Sequence, residues 1–158
     1  MRVITVSNFK GGVGKTTTAV NLAALCARHD ERTLLIDLDP QASATDYFGL
    51  YEQAEDGANV IGLLYEGMTV SEMAYDSGTD NRRVIPATLA LINQNELLLA
   101  EQSLRFALDD AAGEYDVAIL DTAPSAQQLV PCASAATTRR GAVLLPVKLD
   151  PTVLRGTA

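Results

Sequence analysis

Residues 8–18 read Asn-Phe-Lys-Gly-Gly-Val-Gly-Lys-Thr-Thr-Thr, and few folds have a use for such a stretch. Three glycines, Gly11, Gly12 and Gly14, stand between Lys10 and Lys15. The preceding run, Val3-Ile4-Thr5-Val6, reads as a buried strand; Thr16 to Arg28 reads as a helix. A glycine-rich turn from strand into helix aims several backbone N–H groups into one concavity, and the helix N-terminus adds positive potential there. Glycine supplies positive φ and lets the backbone approach an anion with no Cβ in the way. The guest this predicts is a polyphosphate, held by Lys10, Gly11, Gly12, Val13, Gly14, Lys15, Thr16 and Thr17. Lys15 is placed to reach the outer phosphates, and the Thr16 hydroxyl to coordinate Mg²⁺. The general pattern G-x-x-x-x-G-K-[ST] asks for glycine where this chain has Phe9; the extra lysine, Lys10, is what the loop carries instead.

Strand and helix patterns alternate along the chain. Arg2–Ser7 is a strand, and Thr16–Arg28 a helix with Ala19, Leu22, Ala23 and Cys26 on one stripe, which makes Cys26 a packed core thiol. Arg32–Leu38 is a second strand. Residues 40–80 are less regular, with short helices around Val60–Leu64 and Val70–Ala74, and Val84-Ile85-Pro86 is a short strand stopped by proline. Asn95–Ala112 is a helix with Leu97, Ala100, Leu104, Ala107, Leu108 and Ala111 along one face, opened by a cap of Asn93 with Glu96. Asp116–Leu120 is a strand, Gln127–Ala135 a short helix disturbed by Pro131, and Ala142–Val147 another strand. Near-continuous apolar strands separated by helices predict an α/β fold, a mostly parallel sheet covered on both faces, in one domain over 1–158.

In such a sheet ligands sit beyond the carboxyl ends of the strands. Asp37, Asp39 and Asp121 fall at such ends. Asp121 closes Val117-Ala118-Ile119-Leu120 in the manner of a Walker B aspartate, suited to a magnesium-bound water, since Mg²⁺ takes few protein ligands and keeps several waters. Asp37 and Asp39 are two apart and would face one side if the strand continued through both.

The loop K-G-G-x-G-K-T-T resembles the deviant Walker A motif of the ParA/MinD family, and more specifically the ParA/Soj-type partition ATPases. Asp37-Leu38-Asp39-Pro40-Gln41 resembles that family's switch I, and Thr122-Ala123-Pro124-Ser125 its switch II. Leu144-Leu145-Pro146-Val147-Lys148 resembles its next core strand. The resemblance runs from Met1 to about Gly156 and implies a P-loop NTPase that binds ATP or ADP with Mg²⁺ and hydrolyses slowly without an activator. It implies that Lys10 crosses a dimer interface to the partner's phosphates, and that Lys15 and Asp39 serve catalysis, Asp39 by orienting the attacking water. The metal falls to Thr16, Asp37 (in the outer shell) and Asp121. The implied partners are a second copy on ATP binding, a ParB-like activator and DNA without sequence preference. Ser43 stands where relatives often carry asparagine, and Ala123 where many carry a first proline; these departures bear on hydrolysis more than on binding. Family members are usually longer, so the resemblance implies C-terminal strands, adenine contacts and much of a DNA-binding surface that this chain lacks.

Composition narrows the alternatives. Net charge is −8, from 20 acidic and 12 basic residues, which argues against this segment alone gripping nucleic acid strongly. Arg82-Arg83 and Arg139-Arg140 read as solvated surface pairs. The two cysteines lie far apart with no metal-like spacing, as a reducing cytoplasm would leave them, and no apolar run nears the roughly 20 residues of a membrane span. The expected location is the cytoplasm, on the nucleoid if DNA binding is retained. Three other readings stay open: a MinD-like membrane-cycling ATPase, which needs an amphipathic C-terminal helix; a protein like the nitrogenase iron protein, which needs two convergent cysteines where only Cys132 is loosely placed; and a truncated, non-catalytic nucleotide-binding or interaction module.

Overall fold

The computed structural model describes residues 1–94, 97–124, 133 and 141–146. Its elements run β1 (Arg2–Val6), α1 (Lys15–Arg28), β2 (Thr33–Leu38), α2 (Ser43–Tyr47), α3 (Tyr51–Asp56), α4 (Val60–Tyr65), α5 (Val70–Met73), β3 (Tyr75–Asp76), β4 (Arg82–Ile85), α6 (Leu97–Asp110), β5 (Val117–Thr122) and β6 (Gly141–Leu144). Among the described residues the strands form one sheet in the order β3-β4-β2-β5-β1-β6. Every pairing is parallel except β3 with β4.

Strand alternation sorts the core into two layers. Leu34, Ile36 and Leu38 of β2, Ala118 and Leu120 of β5 and Ile85 of β4 pack with Val60, Leu63, Leu64, Val70 and Met73 and with Ala100, Leu104 and Leu108 of α6. On the other face Leu35, Val84, Val117 and Ile119 meet Ala19, Val20 and Ala23 of α1 and Ala44 of α2. The central strands β2 and β5 are buried along their whole length, as a sheet covered on both faces requires. The parallel, two-faced α/β architecture expected from the sequence is therefore the one observed.

Local chemistry explains the short elements. Asn59 caps α4 by accepting from Ile61 N at 2.9 Å. Thr69 and Glu72 form a reciprocal capping box that starts α5. At the amino ends of the strands, Arg32 grips Asp116 through Nε and Nη2 at 3.1 and 2.9 Å, and the guanidinium holds the Asp116 carboxyl down at about 2.

Several expectations need correction. The antiparallel edge strand β3 and the helices α2 and α3 lie in the stretch read as irregular. Cys26 is half-buried at the margin of the α1 core, because that core centres on Ala19, Val20 and Ala23; burial and the Glu31 carboxylate push its thiol pKa up. Arg82 and Arg83 are not a solvated pair. Arg82 lies 4.8 Å over the Phe48 ring, and Arg83 donates to the Ala74 carbonyl, so both tie the β3–β4 edge down. Asn93 ends a 3-10 turn, Leu89–Asn93, whose cap is Thr88. Its supposed partner Glu96, the Gln127–Pro131 region, Cys132, Arg139-Arg140, Ser125 and everything from Val147 onward lie outside the described residues.

α6 puts Ala100, Leu104 and Leu108 inside and Leu98 and Phe106 outside. Leu104→Ala should therefore lower the unfolding free energy by about 2–5 kcal/mol, while Leu98→Ala should change it by about 0.5 kcal/mol or less. Urea unfolding of the two variants checks this; equal losses would place the helix face wrongly.

Candidate functional site

The carboxyl ends of β1, β2 and β5 lie side by side. Asp121 is in register with Asp37 of β2 and with Val6 of β1, so the loop after β1 and both carboxylates meet at one edge of the sheet. The loop after β1 is braced before it turns. Asn8 is 1% exposed, its Nδ2 donates to the Pro146 carbonyl at 3.0 Å, and its Oδ1 accepts from Lys10 N at 2.9 Å. Gly12 and Gly14 have φ of 71° and 87°, the left-handed region that excludes most side chains. Among the described residues a Cβ built on Gly11, Gly12 or Gly14 would meet no atom within 4 Å, so the loop borders open space there. Gly14 is the N-cap of α1 and offers no side-chain cap, which leaves the first amides of this 14-residue helix for a guest.

That open space is a cavity of about 550 Å³ lined by Gly11, Gly12, Gly14, Lys15, Thr16, Thr17, Asp39, Gln41, Ser43 and Pro124. Its size falls in the roughly 300–1,000 Å³ of ordinary ligand sites. Lys15 is buried; its ammonium donates to the Lys10 carbonyl at 3.2 Å. Burial pulls its pKa down, while Asp39 and Asp121 oppose that shift. Lys10 is exposed at the margin of the loop and is not part of the cavity wall, and neither is Val13.

The three aspartates take three different positions. Asp39 lines the cavity, and its Oδ1 accepts from Gln41 N at 2.9 Å. Asp37 is fully buried behind it. Its oxygens accept from Asp39 N at 3.0 Å, Thr45 N at 2.9 Å and Thr45 Oγ1 at 2.8 Å. The strand does not continue through both aspartates, since β2 ends at Leu38; Asp39 lines the cavity and Asp37 is buried. Asp121 is also fully buried, and neither of its oxygens has a hydrogen-bond partner among the described residues. The Thr16 hydroxyl lies near enough to favour its charged form but falls short of hydrogen-bond geometry. Burial, then the Asp37 charge, raise the Asp121 pKa from 3.8 to about 7; burial raises that of Asp37 to about 6.

A buried carboxylate with two unspent oxygens, a neighbouring hydroxyl and a lysine is a donor set suited to a hard divalent cation beside an anion. Among the described residues no group of three or more His, Cys, Asp or Glu side chains forms a self-sufficient metal site. Gln41 and Ser43, which the switch I resemblance touched, line the cavity; the roles of Asn8 and Thr45 were not legible and come from the fold.

A glycine loop between the first strand and helix, a buried lysine opening that helix, and an aspartate at the end of a neighbouring parallel strand together define a P-loop nucleoside-triphosphatase fold. The AAA domain family AAA_31 matches residues 1–158, and the chain belongs to that family. It is 41% identical over 159 residues to the chromosome-partitioning ATPase Soj of Thermus thermophilus, covering 100% of this chain and 59% of the relative. To the chromosome partitioning protein ParA of Myxococcus xanthus it is 37% identical over 163 residues, covering 98% and 55%. A putative plasmid partition protein from Borrelia burgdorferi, solved bound to AMPPNP, superposes with a TM-score of 0.83 at 26% identity, covering 99% of this chain and 66% of that one. The chain thus spans little more than half the length of these curated relatives.

The raised aspartate pKa values fix a sign. Between about 4 and 7 the folded, ligand-free chain holds protons that the unfolded chain releases, so these groups make stability fall as pH rises through that window. Asp121→Asn removes the larger share of this penalty. It should raise the melting temperature of the ligand-free protein by several degrees at pH 8 and hardly change it at pH 4. Thermal melts at the two pH values measure this, and an unchanged melting temperature at pH 8 would mean that the Asp121 charge is compensated.

Proposed function

We propose that residues 1–158 form a single nucleotide-binding domain of a ParA/Soj-type partition ATPase, which binds ATP or ADP with Mg²⁺ and dimerises when ATP is bound. The observation that carries this reading is the Asp121 carboxylate, buried with both oxygens unpartnered beside an uncapped glycine loop. Folding buries such a group at a cost only where something else completes it. Partition proteins among the similar chains, one of them seen with AMPPNP, supply the direction.

The loop amides of residues 11–16 and the Lys15 ammonium would bind the phosphates. Thr16 and Asp121 would hold the metal directly or through water, with Asp37 behind them. Mg²⁺ would neutralise charge on the phosphate oxygens. Asp39, the one acidic side chain in the described cavity wall, would orient the attacking water by accepting its hydrogen bond. Lys10, exposed beside the loop, would contact the phosphates of the second copy. ATP would then favour the dimer because it binds that state better, and hydrolysis would release it.

A ParB-like activator and DNA bound without sequence preference belong to the same reading, as does a cytoplasmic, nucleoid-associated location. Among the described residues no helix is long and apolar enough to cross a membrane.

Two variants separate binding from assembly. Lys15→Ala should weaken ATP affinity in calorimetry by about tenfold or more, as loss of a charge-assisted contact does. Lys10→Ala should bind ATP within about threefold of wild type yet fail to dimerise in light scattering with ATP and Mg²⁺. Identical dimerisation of wild type and Lys10→Ala would end the cross-subunit role. ATP binding with no turnover would leave a nucleotide-binding interaction module.

A further inference from the structure

Thr45 lies in α2, outside the cavity wall, yet its side chain sits at the junction of three segments. It is fully buried. Its Oγ1 donates to Asp37 Oδ2 at 2.8 Å and accepts from Ala87 N, just past β4, at 2.8 Å. Its own N–H donates to the same Asp37 oxygen at 2.9 Å. The hydroxyl's single proton and one of its lone pairs are therefore committed, in a place that water does not reach.

Asp37 passes the constraint on. Its other oxygen, Oδ1, accepts from Asp39 N at 3.0 Å, and Asp39 in turn accepts from Gln41 N through Oδ1 and from Ala42 N through its carbonyl at 2.7 Å. Ala42 sits at φ 53°, a left-handed conformation that a non-glycine residue holds only when its surroundings impose it. Three of the roughly four lone-pair sites of the Asp37 carboxylate go to this scaffold. In Asp121, one strand over in the same register, the described protein fills none.

We propose that Thr45 is a positioning residue for the hydrolytic step. Its hydroxyl locks Asp37 against the β4 end, and Asp37 holds the backbone of Asp39 so that the Asp39 carboxylate stays over the cavity. This rests on the reading of Asp39 as the group that orients water, and it gives Asp37 a structural duty apart from any metal. On that reading the nucleotide is held by the loop at 10–17, and Thr45 is not among the residues that line the cavity there. Loss of the hydroxyl should therefore strike turnover and spare affinity.

The test compares Thr45→Val, isosteric but without the hydroxyl, with Thr45→Ser, which keeps it; Thr45→Ala stands in for valine if melting shows that the valine variant does not fold. ATP–Mg²⁺ affinity is read by calorimetry, turnover by phosphate release, and the Asp39 and Ala87 amides by hydrogen exchange in the ligand-free protein. Thr45→Val should lower kcat by about tenfold or more with ATP affinity within about threefold, and both amides should exchange faster. Thr45→Ser should restore kcat to within about threefold and protect the amides again. Unchanged kcat in Thr45→Val, equal losses of affinity and kcat, or unaltered exchange at Asp39 would each overturn the role. If wild type itself neither binds nor hydrolyses ATP, the functional reading fails, while the exchange comparison still decides whether Thr45 holds the Asp39 turn.

Discussion

The rest of the structure depends on β5 being paired on both sides at one register. Val6, Asp121 and Asp37 come level because β5 lies between β1 and β2 with its residues in step with both. A one-residue slip would turn Asp121 to the opposite face and drive Leu120 or Thr122 into its place. The slip is resisted by the cores on the two faces, since Ala118 and Leu120 pack on one side and Val117 and Ile119 on the other. The geometry of the site is thus set by apolar packing at a distance from it.

The same register brings two buried carboxylates together, and the fold treats them unequally. Asp37 accepts three hydrogen bonds, from Thr45 and the Asp39 amide; Asp121 accepts none among the described residues. Burial raises the pKa of both; the Asp37 charge raises that of Asp121 further, and the Asp39 charge that of Asp37. A chain selected for stability alone would place apolar residues here, as it does at Leu34, Leu35, Ile36 and Leu38 of β2 and at Val117, Ala118, Ile119 and Leu120 of β5. The concentration of this electrostatic cost at the mouth of a glycine loop is what separates a site from a core defect.

What the sequence made legible follows from how local each signal is. The glycine loop, β1, α1, β2 and β5 are encoded in contiguous runs whose periodicity or composition has few other uses. The segment from Pro40 to Asp80 was not legible in the same way. Within it α4 and α5 were read close to their observed bounds, whereas α2 and α3, of five and six residues, carry too few turns to show a period. The two-residue strand β3 is defined by its pairing with β4, Tyr75 opposite Val84 and Asp76 opposite Arg83, too short a run to leave an alternating pattern. Thr45 and Asn8 were missed for a further reason. Each acts through a partner more than forty positions away, Ala87 for one and Pro146 for the other, and a hydroxyl or amide in a sequence gives no sign of what it will reach.

The distribution of hydrogen bonds around the cavity also assigns rigidity. The Asp37–Thr45–Ala87 chain and the Asn8 brace are buried and made of short, charge-assisted or backbone bonds, so they resist local opening. Gly11, Gly12 and Gly14 border open space, with no neighbour that a Cβ would touch. The scaffold is therefore stiff where acidic groups must be held apart from one another and permissive where a guest must enter. The turn from Asp39 to Ala42, with Ala42 held in the left-handed region, is the strained link between the two regions.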